Sequence, residues 1–197
     1  MVTHMASIDE IIRQSAPGDP RLFEALMVGH YNTIYRLTNA VLLDSDEADD
    51  ATQETFIQAA AHIADYQPGT NIKSWLAKIA VNLCRDKLRR KKTRQRLLNT
   101  LKLLSWQGRH TIPSPEDAVI GSERKRIIHS VIDSLDEKHR LPIILRYMQG
   151  MPVTEIAEVL EINVGTVHSR LHNAHRKLRE RLAKITQDDE LSKESFV

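Results

Sequence analysis

The 197-residue chain has a single cysteine, Cys84. That excludes an intrachain disulfide framework and a cysteine-only metal site, and it fits a reducing compartment. Aromatic residues amount to 5%, with only 7 glycines and 7 prolines, too few strand formers and turns for a β-sandwich or barrel. The longest apolar runs are four or five residues, so no segment reads as a membrane span, and no basic-then-apolar signal pattern opens the chain. An excess of one charge is missing too. Lys and Arg number 28 against 26 Asp and Glu, a formal net charge of +2, which argues at first against a dedicated nucleic-acid binder. What is present is an ordinary 41% of apolar residues, enough for a folded core, and a helix-leaning composition. The expectation is an all-α, cytoplasmic protein. Residues 1–7, MVTHMAS, read either as native or, since His4-Met5-Ala6-Ser7 resembles a cloning remnant, as partly foreign, and they are left out of the fold reasoning.

Apolar spacing places the elements. Leu22, Leu26, Tyr31, Ile34, Leu37 and Val41 recur at helical intervals, and Phe56, Ala60 and Ile63 do so in the next segment, with Asp44 and Glu47 as its N-cap and N3 pair. After a turn at Gln67-Pro68-Gly69, a stripe of Ile72, Trp75, Leu76, Ile79 and Leu83 predicts a third helix that runs into the basic block 85–96. From about Arg94 to Ser122 the pattern loosens into a leucine-rich patch and then a Pro- and Gly-containing stretch, read as a flexible linker. Periodicity returns at Ile127, and Pro142 must start or kink a helix that Gly150 and Pro152 end. The expected organisation is an N-terminal extension at 1–19, a helical domain at 20–93, a linker at 94–122, a second helical domain at 123–185 and an acidic tail at 186–197.

In the second domain, Ile156, Ala157 and Leu160 give one short helix a buried face, with Thr154 as its candidate cap. Asn163 is placed to cap the next helix, whose stripe of Val164, Val167, Leu171, Ala174 and Leu178 leaves His168, Ser169, His172, Asn173 and Arg176 on the opposite side. Two short helices joined by a tight turn, the second with a hydrogen-bonding outer face, suit a helix-turn-helix that enters a major groove. Residues 166–184 carry six bases and one acid, a net +5 suited to phosphate. The plain alternative is a solvated surface helix. His168, His172 and His175 also invite a metal, but His175 falls on the buried side and no carboxylate or thiol joins them, so groove-facing histidines are the favoured reading.

The first domain segregates its charge. Six acids and no base lie between Asp44 and Glu54, while 85–96 holds eight bases and one acid. The acids lack the histidine, lysine or phosphate loop of an active site, which leaves a solvated helix start or a docking face for a basic partner. A recombinase or nuclease would need a nucleophile or metal-binding carboxylates with partners, and a repressor would need a dimer interface; neither reads out of these residues.

The segment DDATQETFIQAAAHIADYQPGTNIKSWLAKIAVNLCRDKLRRKK resembles region 2 of bacterial extracytoplasmic-function (ECF) sigma factors, and SLDEKHRLPIILRYMQGMPVTEIAEVLEINVGTVHSRLHNAHRKL resembles their region 4. The resemblance implies a non-enzymatic RNA polymerase subunit with no cofactor and no membrane span, in which a region 2 helical bundle and a region 4 helix-turn-helix bind promoter DNA. It places Asp49, Asp50, Gln53 and Glu54 against the β′ clamp coiled coil of core RNA polymerase. Tyr66, Asn71, Lys73, Asn82, Arg85, Arg89 and Arg90 would open and hold the −10 element. Region 4 would bind the β flap and read the −35 element through Thr166, His168, Ser169, Arg170, His172, Asn173, Arg176 and Lys177. An anti-sigma factor is the implied regulator. Family members often carry arginine where this chain has His168 and Asn173, which implies a −35 preference shifted from the usual GGAAC type.

Overall fold

The computed structural model describes residues 11–12, 19–67, 69–104, 130–132 and 134–194, with side chains left undescribed at 99–104 and 184–194. The expected N-terminal extension, apart from Ile11, Ile12 and Asp19, and most of the expected linker lie outside these residues, as do Pro68 and Ile127. The described residues form helices and no strands.

Helix α1 is Pro20–Leu42. Asp19 caps it by accepting from the Arg21 N–H at 2.9 Å, and Pro20 opens it where no N–H is needed. Leu22, Leu26, Ile34, Leu37 and Val41 form its buried stripe. Helix α2, Ser45–Ala61, begins as the acidic pair foretold: the Asp44 carboxylate accepts from the Glu47 N–H at 3.1 Å. Its buried face is mostly small, with Ala48, Ala51, Thr52, Thr55, Ala59 and Ala60 around Phe56, so α1 approaches closely. There the Thr52 hydroxyl donates to the Ala48 carbonyl at 2.7 Å and the Thr38 hydroxyl donates to Thr52 Oγ1 at 2.9 Å, so each buried hydroxyl proton has an acceptor.

Helix α3, Ile72–Leu104, spans 33 residues, about 50 Å at 1.5 Å each. Its first half buries Ile72, Leu76, Ala77, Ala80, Val81 and Cys84 against α1 and α2. From Arg89 to Leu98 every side chain is exposed, so the basic half projects from the bundle as a rod. The helix thus continues about ten residues past the point where the loosened pattern placed the linker. Charged helix formers sustain it without apolar periodicity.

In the second unit, α4 (Glu137–Ile143) contains Pro142, which lacks an N–H for the Lys138 carbonyl, and the helix goes on by widening into a π turn at Ile144–Met148. Gly150, at φ +70°, reverses the chain. Helix α5 is Val153–Leu160. Its N-cap position is Pro152, which corrects the expected Thr154; the rigid Pro φ starts the helix earlier without a side-chain cap. Helix α6, Val164–Glu194, carries on through the segment expected to be a separate acidic tail.

One apolar core runs through both units, from Leu22 and Phe56 to Ile144, Ile156 and Val167. The buried Arg140 guanidinium donates to the Val41 carbonyl at 2.9 Å, at the negative end of α1, and Gln149 donates to the Thr33 carbonyl at 3.2 Å.

Candidate nucleic-acid interface

The turn between α5 and α6 is built by backbone geometry. Glu161 takes the left-handed conformation at φ 55°, and the Ile162 N–H returns to the Ala157 carbonyl at 3.0 Å, a Schellman closure. Asn163 then caps α6 through the Thr166 N–H at 2.8 Å and the Thr166 hydroxyl at 2.6 Å. Val167 and Ala174 are fully buried, which fixes the rotation of α6 and leaves His168, Ser169, His172 and Arg176 on its outer side, with His168, Ser169 and His172 exposed. Thr166, Arg170 and Asn173 are half-buried at the edges of that face.

Lys177 departs from the expected set. Its ammonium lies 3.5 Å from Asp136 Oδ1 and 3.3 Å from His139 Nδ1, turned toward the start of α4. His139 is buried and hydrogen-bonded to the same carboxylate. Burial raises the Asp136 carboxyl, but His139 and Lys177 outweigh it and hold the group below its ordinary value. His175 Nε2 pairs with the Tyr147 hydroxyl at 2.9 Å, the rings meeting edge-on at 5.6 Å. That contact occupies His175 Nε2. Among the described residues no three His, Cys, Asp or Glu side chains converge to hold a metal.

On the first unit, Asn71 is the cap of α3, accepting from the Lys73 N–H at 3.1 Å, and Lys73 and Asn82 are exposed. Tyr66 is buried instead, its hydroxyl donating to the Thr70 carbonyl at 2.7 Å and its ring tilted against Trp75 at 5.4 Å. The open aromatic surface here is Trp75, which its place in the apolar stripe had marked as core. Half-buried, it floors a groove of about 380 Å³ with Gln58, His62, Lys78 and Asn82. Gln58, His62 and Lys78 line this groove and were not among the expected residues, and Trp75 had been weighed as a stacking platform but read as core. The available signal was the spacing of Trp75, Lys78 and Asn82, which repeats every three or four residues on one helix face.

The basic rod is partly neutralised at home. Lys87 lies 3.7 Å from Asp50, Lys91 3.7 Å from Glu47 and 3.8 Å from Asp44, and Arg89 2.9 Å from Asp86. Arg85 donates to Glu137 Oε1 at 3.2 Å. Arg90, Lys92 and Arg94 have no ion pair among the described residues and face solvent.

On α2, Asp49 is half-buried and held by the Tyr31 hydroxyl and by Gln53 Nε2, the latter at 2.9 Å. The hydrogen bond to Asp49 pushes the Tyr31 phenol up, so it stays a donor. Asp50, Gln53 and Glu54 are exposed at positions i, i+3 and i+4, one outward edge. Cys84, fully buried, has its thiol pushed up to about 12 by burial and stays protonated.

The family models for Sigma-70 region 2 and Sigma-70, region 4 match residues 26–94 and 125–178. The ECF RNA polymerase sigma factor SigW of Bacillus subtilis (strain 168) is 32% identical over 182 residues, covering 89% of this chain and 96% of SigW. Two solved structures share the fold. The sigma factor RpoE from Bartonella quintana, in complex with the anti-sigma factor NepR, matches at TM-score 0.63 and 22% identity, over 82% of this chain and 96% of RpoE. CnrH, in complex with the cytosolic domain of CnrY, matches at TM-score 0.63 and 25% identity, over 90% of this chain and 98% of CnrH. Helix-turn-helix, basic rod and acidic edge thus stand in a chain that belongs to the Sigma-70 family and, within it, to the ECF RNA polymerase sigma factors.

Proposed function

We propose that this chain is an alternative sigma factor that binds core RNA polymerase in the cytoplasm and directs initiation at promoters with specific −35 and −10 elements. The observation that carries the reading is that one chain presents three surfaces: the exposed face of α6, the Trp75 groove with the basic rod of α3, and the acidic edge of α2. It contributes no catalytic residue; the polymerase performs the chemistry. Residues 20–93 and 123–185 serve as the two DNA-binding domains, and the stretch between them, which begins as the end of α3, connects them.

Each surface has a physical task. Asp50, Gln53 and Glu54, with Asp49 behind them, offer carboxylates and an amide to the β′ coiled coil, and the second domain reaches the β flap. Extruding a base costs a few kcal/mol of stacking, which a pocket offsets by sandwiching the base and holding its strand by charge. The Trp75 ring, the Asn82 amide, Lys73, Arg89 and Arg90 supply those groups. On α6, His168, Ser169, His172 and Asn173 face base edges while Arg170 and Arg176 meet phosphate. An anti-sigma factor as regulator is supported by the company kept by RpoE of Bartonella quintana. Membrane crossing has no support: among the described residues no helix is long and apolar enough.

Binding to purified core polymerase tests the reading. Wild-type chain should form a gel-filtration complex that Asp50→Ala/Glu54→Ala weakens tenfold or more, because a hydrogen bond to a charged group is worth about 1.5–3 kcal/mol. Absence of any complex with core polymerase would sink it.

A further inference from the structure

The α2 edge assigned to polymerase is held by hydrogen bonds from within the chain. Gln53 Nε2 donates to Asp49 Oδ2 at 2.9 Å, and Gln58 Nε2 donates to Glu54 Oε1 at 3.0 Å, each across one helical turn. The Tyr31 hydroxyl of α1 donates to the other oxygen of Asp49. That phenol is itself fixed, because its ring stacks on Tyr35 at 6.1 Å and on the fully buried Phe56 at 6.5 Å. Both oxygens of the half-buried Asp49 therefore already have a donor. Asp50 stands differently. Its side chain is 74% exposed, with Lys87 Nζ no closer than 3.7 Å.

A glutamine amide offers an oxygen on one side and an NH2 on the other, and a half-turn exchanges them. Beside an ionised carboxylate the two settings are unequal. The NH2 facing it makes a charge-assisted hydrogen bond, whereas the turned amide sets oxygen against oxygen. Asp49 thus holds Gln53 with its carbonyl oxygen directed away from Asp49, on an exposed side chain, and Tyr31 holds Asp49. We propose that Tyr31 and Asp49 are positioning residues: they set the Gln53 oxygen outward, so that Asp50, Gln53 and Glu54 meet polymerase as a row of acceptors, and Asp49 makes no contact with polymerase itself. This rests on the assignment of that edge in the proposed function and narrows it, taking Asp49 out of the contact set. The complementary partner face is one of cationic donors. A guanidinium fork fits it best, because it can bridge the Gln53 oxygen and a neighbouring carboxylate at once.

Double-mutant cycles in the full chain, read as equilibrium binding to immobilised core polymerase, separate positioning from contact. Salt of about 0.3 M screens the long-range effect of removing a charge. Tyr31→Phe keeps the stacked ring and deletes only the hydroxyl, and it should weaken binding about threefold. Asp49→Asn sets an amide against the Gln53 amide, so it should cost about fivefold, as much as Gln53→Ala does. In the Gln53→Ala background both costs should shrink to less than about 1.5-fold, because the group they position is gone. A merely structural loss would lower affinity in either background. An Asp49→Asn cost that persists undiminished in the Gln53→Ala background makes Asp49 a direct contact and overturns the proposal, as does binding that Tyr31→Phe leaves unchanged. Wild-type affinity in Asp50→Ala/Glu54→Ala sinks the edge assignment itself, whereas loss in that pair without coupling between Asp49 and Gln53 leaves the assignment standing and removes the positioning.

Discussion

Leu43 ends α1 at φ 58°, a conformation in which its Cβ crowds the backbone, and its side chain is 46% exposed. Leu43→Gly removes that strain at little packing cost and should stabilise the chain by about 0.5–1 kcal/mol after the added freedom of the unfolded state is counted. Urea midpoints at constant slope check it. Asn173 carries a second expectation. An amide prefers adenine where an arginine would read guanine bidentately, so selection from a randomised −35 library should return adenine opposite Asn173, and Asn173→Arg should shift that position toward guanine. Recovery of an unmodified GGAAC-type element would contradict this. Residue-level legibility stopped at the aromatics. Tyr66 and Trp75 both sit near the turn into α3, and which ring is buried depends on the Thr70 carbonyl and on the packing of α3, neither visible in local spacing. The contact of Lys177 with Asp136 was hidden for the same reason, since Asp136 is 41 positions away.

At the scale of elements, α6 depends on the Asn163 cap, which satisfies an N–H that would otherwise be orphaned at the start of the recognition helix. Asn163→Ala should lower stability by about 1 kcal/mol and weaken −35 binding while leaving the affinity for core polymerase at the α2 edge unchanged. Thermal unfolding and a duplex binding assay separate the two effects. The start of α4 sets part of the acid limit. Asp136 titrates below its unfolded value of 3.8, so the stability it adds is complete above about that pH and is lost as pH falls through the lower folded value. Asp136→Asn should flatten the stability curve below pH ~4 and leave the curve's shape at neutral pH unaltered. Elements were the most legible level. Leu22 to Val41, the Asp44–Glu47 start and the Asn163 cap were all readable because apolar spacing and caps are local. The run of α3 to Leu104 and of α6 to Glu194 was not, because charged helix formers leave no apolar stripe to read.

For the whole molecule, the net charge of +2 is a sum over separated blocks. The six acids of 44–54, the bases of 85–96 and 166–184 and the acidic end beyond Gln187 nearly cancel. The structure adds that part of this cancellation is direct contact: Lys87 and Lys91 meet the α2 acids, and Lys78 and Arg85 meet Glu161 and Glu137. Such pairings join residues dozens of positions apart, which is why composition alone gave the wrong first impression of DNA binding. Free protein should therefore hold duplex promoter weakly. With ~4 phosphate contacts from the second domain, the log–log salt slope should be near −3.6 at ~0.9 per contact, and a salt-insensitive nanomolar complex without polymerase would contradict it.

Run-off transcription with purified core polymerase is the most direct test, using templates selected from a promoter library. A promoter-specific transcript that requires this chain should appear, and it should fall sharply with Asp50→Ala/Glu54→Ala and, separately, with Arg89→Ala/Arg90→Ala, because the first loosens the subunit from polymerase and the second from the opened strand. A transcript indifferent to both substitutions, or strand cleavage by the chain in the absence of polymerase, would contradict it.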